Sequence, residues 1–189
     1  GGESIVSPFL PGRVRRRIAQ RIVLLLALLH GPGAESLADD ATAVLPPPEG
    51  PVLLVIRGAI ARTNVDDEAR FDRAMLHRLP RTGFETATPW STAPSHTFEG
   101  VRLSVLLDLV GASGTRFEAI GADDYAITFE GVDLERYPVI LADTQDGMPL
   151  TLRRLGPLRI MFPFDDYPEL LNQGNDALSV WQLEVMEIR

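Results

Sequence analysis

The run Val52-Leu53-Leu54-Val55-Ile56 is short, continuously apolar and partly β-branched, which predicts a buried strand. Between 66 and 79 the spacing changes: Phe71, Met75, Leu76 and Leu79 share one helical face. Asn64 or Asp66 can cap that segment, acids crowd its first turn and Pro80 stops it, so a helix is expected over 66–79. Residues 82–88 read as extended. Leu103, Leu106, Leu107 and Val110 again fall at helical spacing, and Gly111 stands where a left-handed C-cap is wanted.

Beyond Gly111 the pattern is mostly that of strands. Runs rich in aromatic and β-branched residues occupy 116–121 and 125–130, joined through Asp123-Asp124. Residues 133–137 read as a helical turn before Pro138, and Val139-Ile140-Leu141 as another buried strand. Asp146-Gly147 is a hairpin signal, because both central positions of a type I′ turn need positive φ. Strands over 157–164 and 179–188 complete the set, the second with Trp181, Leu183 and Val185 alternating against Gln182 and Glu184. The sum is an α+β domain, mainly β, with two helices. No repeat of fixed period is present.

Residues 86–111 organise the rest. Pro89 and Pro94 preclude regular ladder pairing, leaving a loop that carries Trp90, Ser91, Thr92, Ser95, His96 and Thr97 on a helical base. A loop so based is where a ligand site is built. The competing reading is a plain crossover whose Trp90 plugs the core.

The start of the chain has a different character. Arg13, Arg15, Arg16, Arg17 and Arg21 precede the apolar run Ile22-Val23-Leu24-Leu25-Leu26-Ala27-Leu28-Leu29, and Ser36-Leu37-Ala38 follows. A basic region, an apolar stretch and a small-x-small site predict a secretory signal peptide over 1–38. The apolar run is too short for the roughly 20 residues of a spanning helix. An uncleaved anchor is the alternative, and the arginine cluster leaves ordinary and twin-arginine export both open. Residues 39–51, with Pro46-Pro47-Pro48 and Gly50-Pro51, read as an extended linker, and 52–189 as the domain. A periplasmic or secreted protein, with no membrane span once processed, is the expectation.

Composition narrows the chemistry. Charged residues make up 23 % of the chain and apolar ones 45 %, ordinary for a globular protein. Removing 1–38 takes five arginines, Glu3 and Glu35, leaving 13 basic and 24 acidic side chains, net −11. Such a balance argues against a nucleic-acid partner, which needs cationic neutralisation of phosphates. All eighteen basic residues are arginine, so neither a Schiff-base nor a P-loop lysine is possible. The absence of cysteine removes disulfides, thiol nucleophiles and thiolate metal ligands.

A series of short words points to a family. Thr88-Pro89-Trp90, Phe98-Glu99-Gly100-Val101-Arg102-Leu103 and Leu106-Leu107-Asp108-Leu109-Val110-Gly111 are followed by Asp124-Tyr125-Ala126 and Tyr137-Pro138-Val139-Ile140-Leu141-Ala142. Asp146-Gly147, Leu155-Gly156-Pro157-Leu158-Arg159-Ile160 and Ser179-Val180-Trp181-Gln182-Leu183 come next. Their order, over roughly 52 to the end, resembles the small exported relatives of the sulfite oxidase-like oxidoreductase molybdopterin-binding domain. The resemblance implies that family's mixed-sheet fold. It also implies a molybdenum-ligating cysteine, whose place falls among Thr86, Ala87 and Thr88, and a C-terminal Val-Lys-Trp word that helps hold the anionic cofactor. Here the first place has no thiolate, which hydroxyls replace poorly on a soft metal, and the second reads Val180-Trp181-Gln182.

The expected task is therefore a changed one on a retained scaffold: a binding module without redox chemistry, taking an anionic small molecule or a membrane-bound signalling or redox protein, with no cofactor. The alternative is a periplasmic oxidoreductase that binds molybdopterin without a cysteine ligand; a structural subunit with a vestigial pocket is a third. The candidate ligand-binding set is Thr88, Trp90, His96, Arg102, Arg153, Arg154 and Arg159, with no catalytic residue and no metal ligand. Guanidinium forks suit phosphate or carboxylate, although the same arginines can simply pair with surface acids. His96 is able to act as acid, base or ligand, or to be a bystander. His77 is expected on the outer face of its helix. Asp123-Asp124 and Asp165-Asp166 are read as turn formers before cation sites, and Trp90 and Tyr167 as core before stacking platforms.

Overall fold

The computed structural model describes residues 44–88, 94–173 and 179–189. Val44–Arg189 forms one compact unit; the predicted signal peptide and Trp90 lie outside the described residues. Among the described residues the strands form two sheets. The first has the order β2-β1-β10-β5-β6, from β1 (Val52–Gly58), β2 (Ala69–Asp72), β5 (Arg116–Gly121), β6 (Ala126–Glu130) and β10 (Leu183–Ile188). It is mixed: β1 runs parallel to β10, with Val55 opposite Val185, and the other pairs are antiparallel. The second sheet takes β3 (Arg81–Thr86), β4 (His96–Arg102), β7 (Ile140–Gln145) and β8 (Met148–Pro149) in that order. A short strand, β9 (Arg159–Met161), also pairs with β7. The fold is α+β and mainly β, as the pattern predicts.

Why Val139-Ile140-Leu141, leading into β7, reads as an apolar run is visible in its packing. Leu141 enters the main core, while Ile140 and Ala142 join Phe98, Leu150 and Met161 in a second cluster on the opposite face. A stretch covered on both sides has no polar face to show; beyond it β7 turns polar at Asp143, Thr144 and Gln145. The main core gathers Leu54 and Ile56 of β1, Phe117 of β5, Phe129 of β6 and Met186 of β10. Phe117 stacks on Phe129 at 4.5 Å, and Phe129 lies 6.1 Å from Phe162.

Helix α2 (Leu103–Val110) buries Leu103, Leu106 and Val110, and Gly111 ends it at φ 63°, ψ 46°, donating its N–H to Asp108 and Leu107 carbonyls. The helix expected over 66–79 is much shorter. Helix α1 covers Arg73–Arg78 and is capped by Asp72, whose carboxylate accepts from the Met75 N–H at 2.8 Å. Residues 69–72 are a strand instead, since Ala69 and Phe71 alternate inward against β1. Phe71 and Met75, four residues apart, mimic one helical face while standing on two elements. Asp72 also accepts from the Glu49 and Gly50 N–H groups. Residues 44–51 therefore have no helix or strand but are held down, and Leu45 is buried in the main core.

Two further differences concern the organising stretch and the C-terminus. His96 and Thr97, placed in a loop by the sequence reading, begin β4, which the paired partners Thr86 and Glu85 on β3 stabilise. Residues 179–182 are not strand: Gln182 has φ 51° and Trp181 is exposed, so the last strand starts at Leu183. At 146–147 the predicted turn forms, with φ of 53° and 72°.

Candidate functional site: an arginine-lined cleft

One end of the second sheet opens into a cleft of about 440 Å³ lined by Thr88, His96, Phe98, Gln145, Arg153, Arg154, Leu155 and Arg159. Antiparallel pairing brings these residues together. Thr88 follows the end of β3, His96 starts β4, Gln145 ends β7 opposite Phe98, and Arg159 starts β9 opposite Ala142. A 3-10 turn over Leu152–Arg154 supplies the two adjacent arginines, closed by Leu155 in the left-handed region. It is fixed by the Gly156 N–H to the Thr151 carbonyl at 2.8 Å and by the Gln182 amide to the Leu152 carbonyl at 3.2 Å.

The arginines differ in their settings. Arg159 is 4 % exposed, with its guanidinium 5.3 Å from the Phe98 ring and 5.7 Å from the Trp181 ring. Aromatic faces attract such a cation through their quadrupoles. Burial lowers its pKa to about 10, which leaves it charged at neutral pH. Arg154 donates to the Gln145 carbonyl at 3.3 Å. Among the described residues neither Arg153 nor Arg154 forms an ion pair, although five other arginines do. The pairing with surface acids that would have explained them away is not what these two side chains do.

His96 is held from the turn after β7. Its Nδ1 lies 2.8 Å from Asp146 Oδ2, while Asp146 Oδ1 accepts from the Thr97 N–H at 3.1 Å. Burial pulls the Asp146 carboxyl upward, but the His96 and Thr97 hydrogen bonds outweigh it and hold the group below the usual carboxylate range. A carboxylate can only accept, so Nδ1 carries the proton and Nε2 is left for a ligand.

Asp165 ties the chain on either side of 89–93. One carboxylate oxygen accepts from the Ala87 N–H at 2.9 Å and the Ser95 hydroxyl at 2.8 Å, and the Asp165 N–H donates to Thr86 Oγ1 at 3.3 Å. Asp165 thus serves the chain, as Asp123 does by accepting from the Tyr125 N–H. Tyr167 packs edge-on against Tyr137 at 5.3 Å.

Of the candidate set, Thr88, His96, Arg153, Arg154 and Arg159 meet in the cleft. Arg102 does not: at the other end of β4 it donates to the Leu134 and Glu135 carbonyls, each at 3.2 Å. Phe98, Gln145 and Asp146 belong to the site and were not singled out. Phe98 reads as a core residue, and only strand register reveals that its ring also floors the cleft.

A second polar cluster lies around buried Asp143. Arg81 donates to both its oxygens at 2.6 and 3.0 Å, and His77 Nε2 approaches at 3.0 Å. His77 is on the exposed side of α1, as the sequence suggests, yet it has this specific partner.

Residue type favours some occupants of this region over others. In the place where the resemblance puts a thiolate, Thr86 is buried and its hydroxyl donates to the Ala87 carbonyl at 3.1 Å while accepting from Asp165. Thr88 offers one more hydroxyl. Neither suits molybdenum, whereas guanidinium groups and an imidazole suit an oxyanion.

No family model matches the chain, and no curated protein does. Among solved structures, the sulfane dehydrogenase SoxCD from Paracoccus pantotrophus is similar in fold. The TM-score is 0.54 at 21 % identity, covering 71 % of this chain and 37 % of that one. The chain thus spans little more than a third of SoxCD. This likeness supports the mixed-sheet, sulfite oxidase-like fold and no more.

Proposed function

We propose that the domain is a binding module for a small anionic molecule, acting outside the cytoplasm and without redox chemistry. The single observation that carries this reading is the convergence of Arg153, Arg154, Arg159 and His96 on one cleft in a chain of net charge −8. In so acidic a chain, gathered cations create a local positive field that concentrates anions. Bidentate guanidinium recognition favours phosphate, sulfate or carboxylate groups over halides. The basic and apolar segments of 13–29 support export.

Binding of sulfate and phosphate to the full chain, measured by calorimetry, tests the reading, with the R153A/R154A double variant as control. The expected result is saturable binding that the double variant loses by about tenfold or more, since hydrogen bonds to charged groups contribute about 1.5–3 kcal/mol each. Equal affinity in both proteins would refute it. Molybdenum and pterin content, in chain produced by a host that makes the cofactor, tests the cofactor reading separately. Stoichiometric metal would overturn the assignment to non-redox binding.

A further inference from the structure

We propose that the cleft takes a compact dianionic oxyanion together with a proton, and that the proton goes to His96 Nε2. The proposal deepens the anion-binding reading and rests on it. It stands on the geometry of the His96–Asp146 pair at the cleft wall. Nδ1 is 2.8 Å from the Asp146 carboxylate, and that carboxylate is fixed by the Thr97 N–H and by the Gln145 amide at 3.4 Å. In the neutral ring Nε2 is therefore a lone-pair acceptor and not a donor, and a lone pair repels an oxyanion. Protonation changes Nε2 into an N–H donor and adds a positive charge to the cleft.

The charged groups around the ring all bear on this step. Asp146 on the β7–β8 turn faces Nδ1 and remains ionised, its carboxyl being held low. Arg153, Arg154 and Arg159 share the cleft and carry the same sign of charge as an imidazolium. Glu85 on β3 is paired beside it with Thr97, and Asp165 holds the neighbouring Ser95. An oxyanion bound among the arginines offsets their repulsion, so proton and anion each favour the other, and the coupling is reciprocal. Arginine keeps its charge throughout the neutral range. Among the cleft's lining residues, His96 is then the group able to link affinity to neutral pH.

Sulfate is the probe, because it stays a dianion across the range and any pH dependence must come from the protein. Affinity of the full chain for sulfate is measured at about pH 5.5 and about pH 8.5, on either side of the imidazole range, in paired buffers of different ionisation enthalpy that report proton uptake. The expected result is an affinity about tenfold or more weaker at the higher pH, as an opposite charge within about 4–6 Å implies, with proton uptake near neutrality. The His96→Gln variant should bind with no pH dependence and no uptake. Asp146→Asn should move the pH dependence to lower pH, which a merely structural role for the pair would not do. Sulfate binding that is equal at both pH values and takes up no proton overturns the proposal and leaves the anion site standing. Uptake that persists in His96→Gln overturns the assignment to that residue. No sulfate binding at either pH would sink the anion reading, and this proposal with it.

Discussion

Replacing Asp143 by Asn removes the one negative charge that Arg81 and His77 share. The Asp143 side chain is 4 % exposed and Arg81 is 29 % exposed, so the pair lies between two limits. Breaking a buried pair costs about 3–5 kcal/mol, and an exposed pair contributes about 0–1 kcal/mol. With two guanidinium contacts at 2.6 and 3.0 Å and the Thr144 hydroxyl at 2.8 Å, a loss of about 2–3 kcal/mol is expected. For a unit of this size that lowers the melting temperature by roughly 4–12 °C. The pH dependence has a definite sign. Burial pushes the Asp143 carboxyl up, but Arg81 and Thr144 outweigh it and hold the folded group below its ordinary value. Its contribution is therefore fully present above the unfolded carboxyl value of about 3.9, and is lost as pH falls from there through the lower folded value. Urea denaturation of wild type, D143N, R81Q and the double variant, at neutral pH and in acid, measures both effects. A coupling energy below about 0.5 kcal/mol, the additive limit for independent sites, or an acid limb unchanged in D143N would refute the reasoning.

Other expectations follow from the core and the backbone. Phe129→Ala removes a ring buried between Phe117 and Phe162 and should cost about 3–5 kcal/mol in chemical denaturation. Gly100→Ala places a methyl group against the Leu141 carbonyl of the neighbouring strand β7; it should yield little folded protein on expression, while Gly131→Asn, at an open position of positive φ that asparagine adopts, should be tolerated. Asp72→Ala removes the cap of α1 and the anchor of 49–50 together. Its first result should be faster proteolysis within 44–51, and the Asp72 carboxyl, held low chiefly by the Met75 N–H and then by Gly50, makes that segment acid-sensitive in wild type as well.

Local signals that depend on few neighbours were legible in the chain. The strand beginning at Val52, the β5–β6 hairpin, helix α2 with Gly111 as its left-handed cap and the Asp146-Gly147 turn all reflect backbone preference and period, which act over a handful of residues. The strand is not buried throughout, since Leu54 and Ile56 are inside while Val52 is exposed. Residue type alone marks Arg153, Arg154 and Arg159 as groups with anion-binding chemistry; that they line one cleft is a fact of the structure. The segment 66–79 was misread because Phe71 and Met75 satisfy a helical spacing while β1 offers residues 69–72 a ladder. Propensity is a weak prior against such pairing.

The tertiary structure alone decided the rest. The parallel pairing of β1 with β10 joins segments 130 residues apart at Arg57 and Glu187, and no local pattern encodes that partner. Pairing in the second sheet likewise separates Arg102 from the other arginines, sets Phe98 against Arg159, and gives His96 the carboxylate of Asp146, 50 residues away. Trp181 reaches Arg159 from the segment before β10. Residue type fixes what a side chain can bind; strand register fixes which side chains face one cleft, and register is settled by burial summed over both sheets.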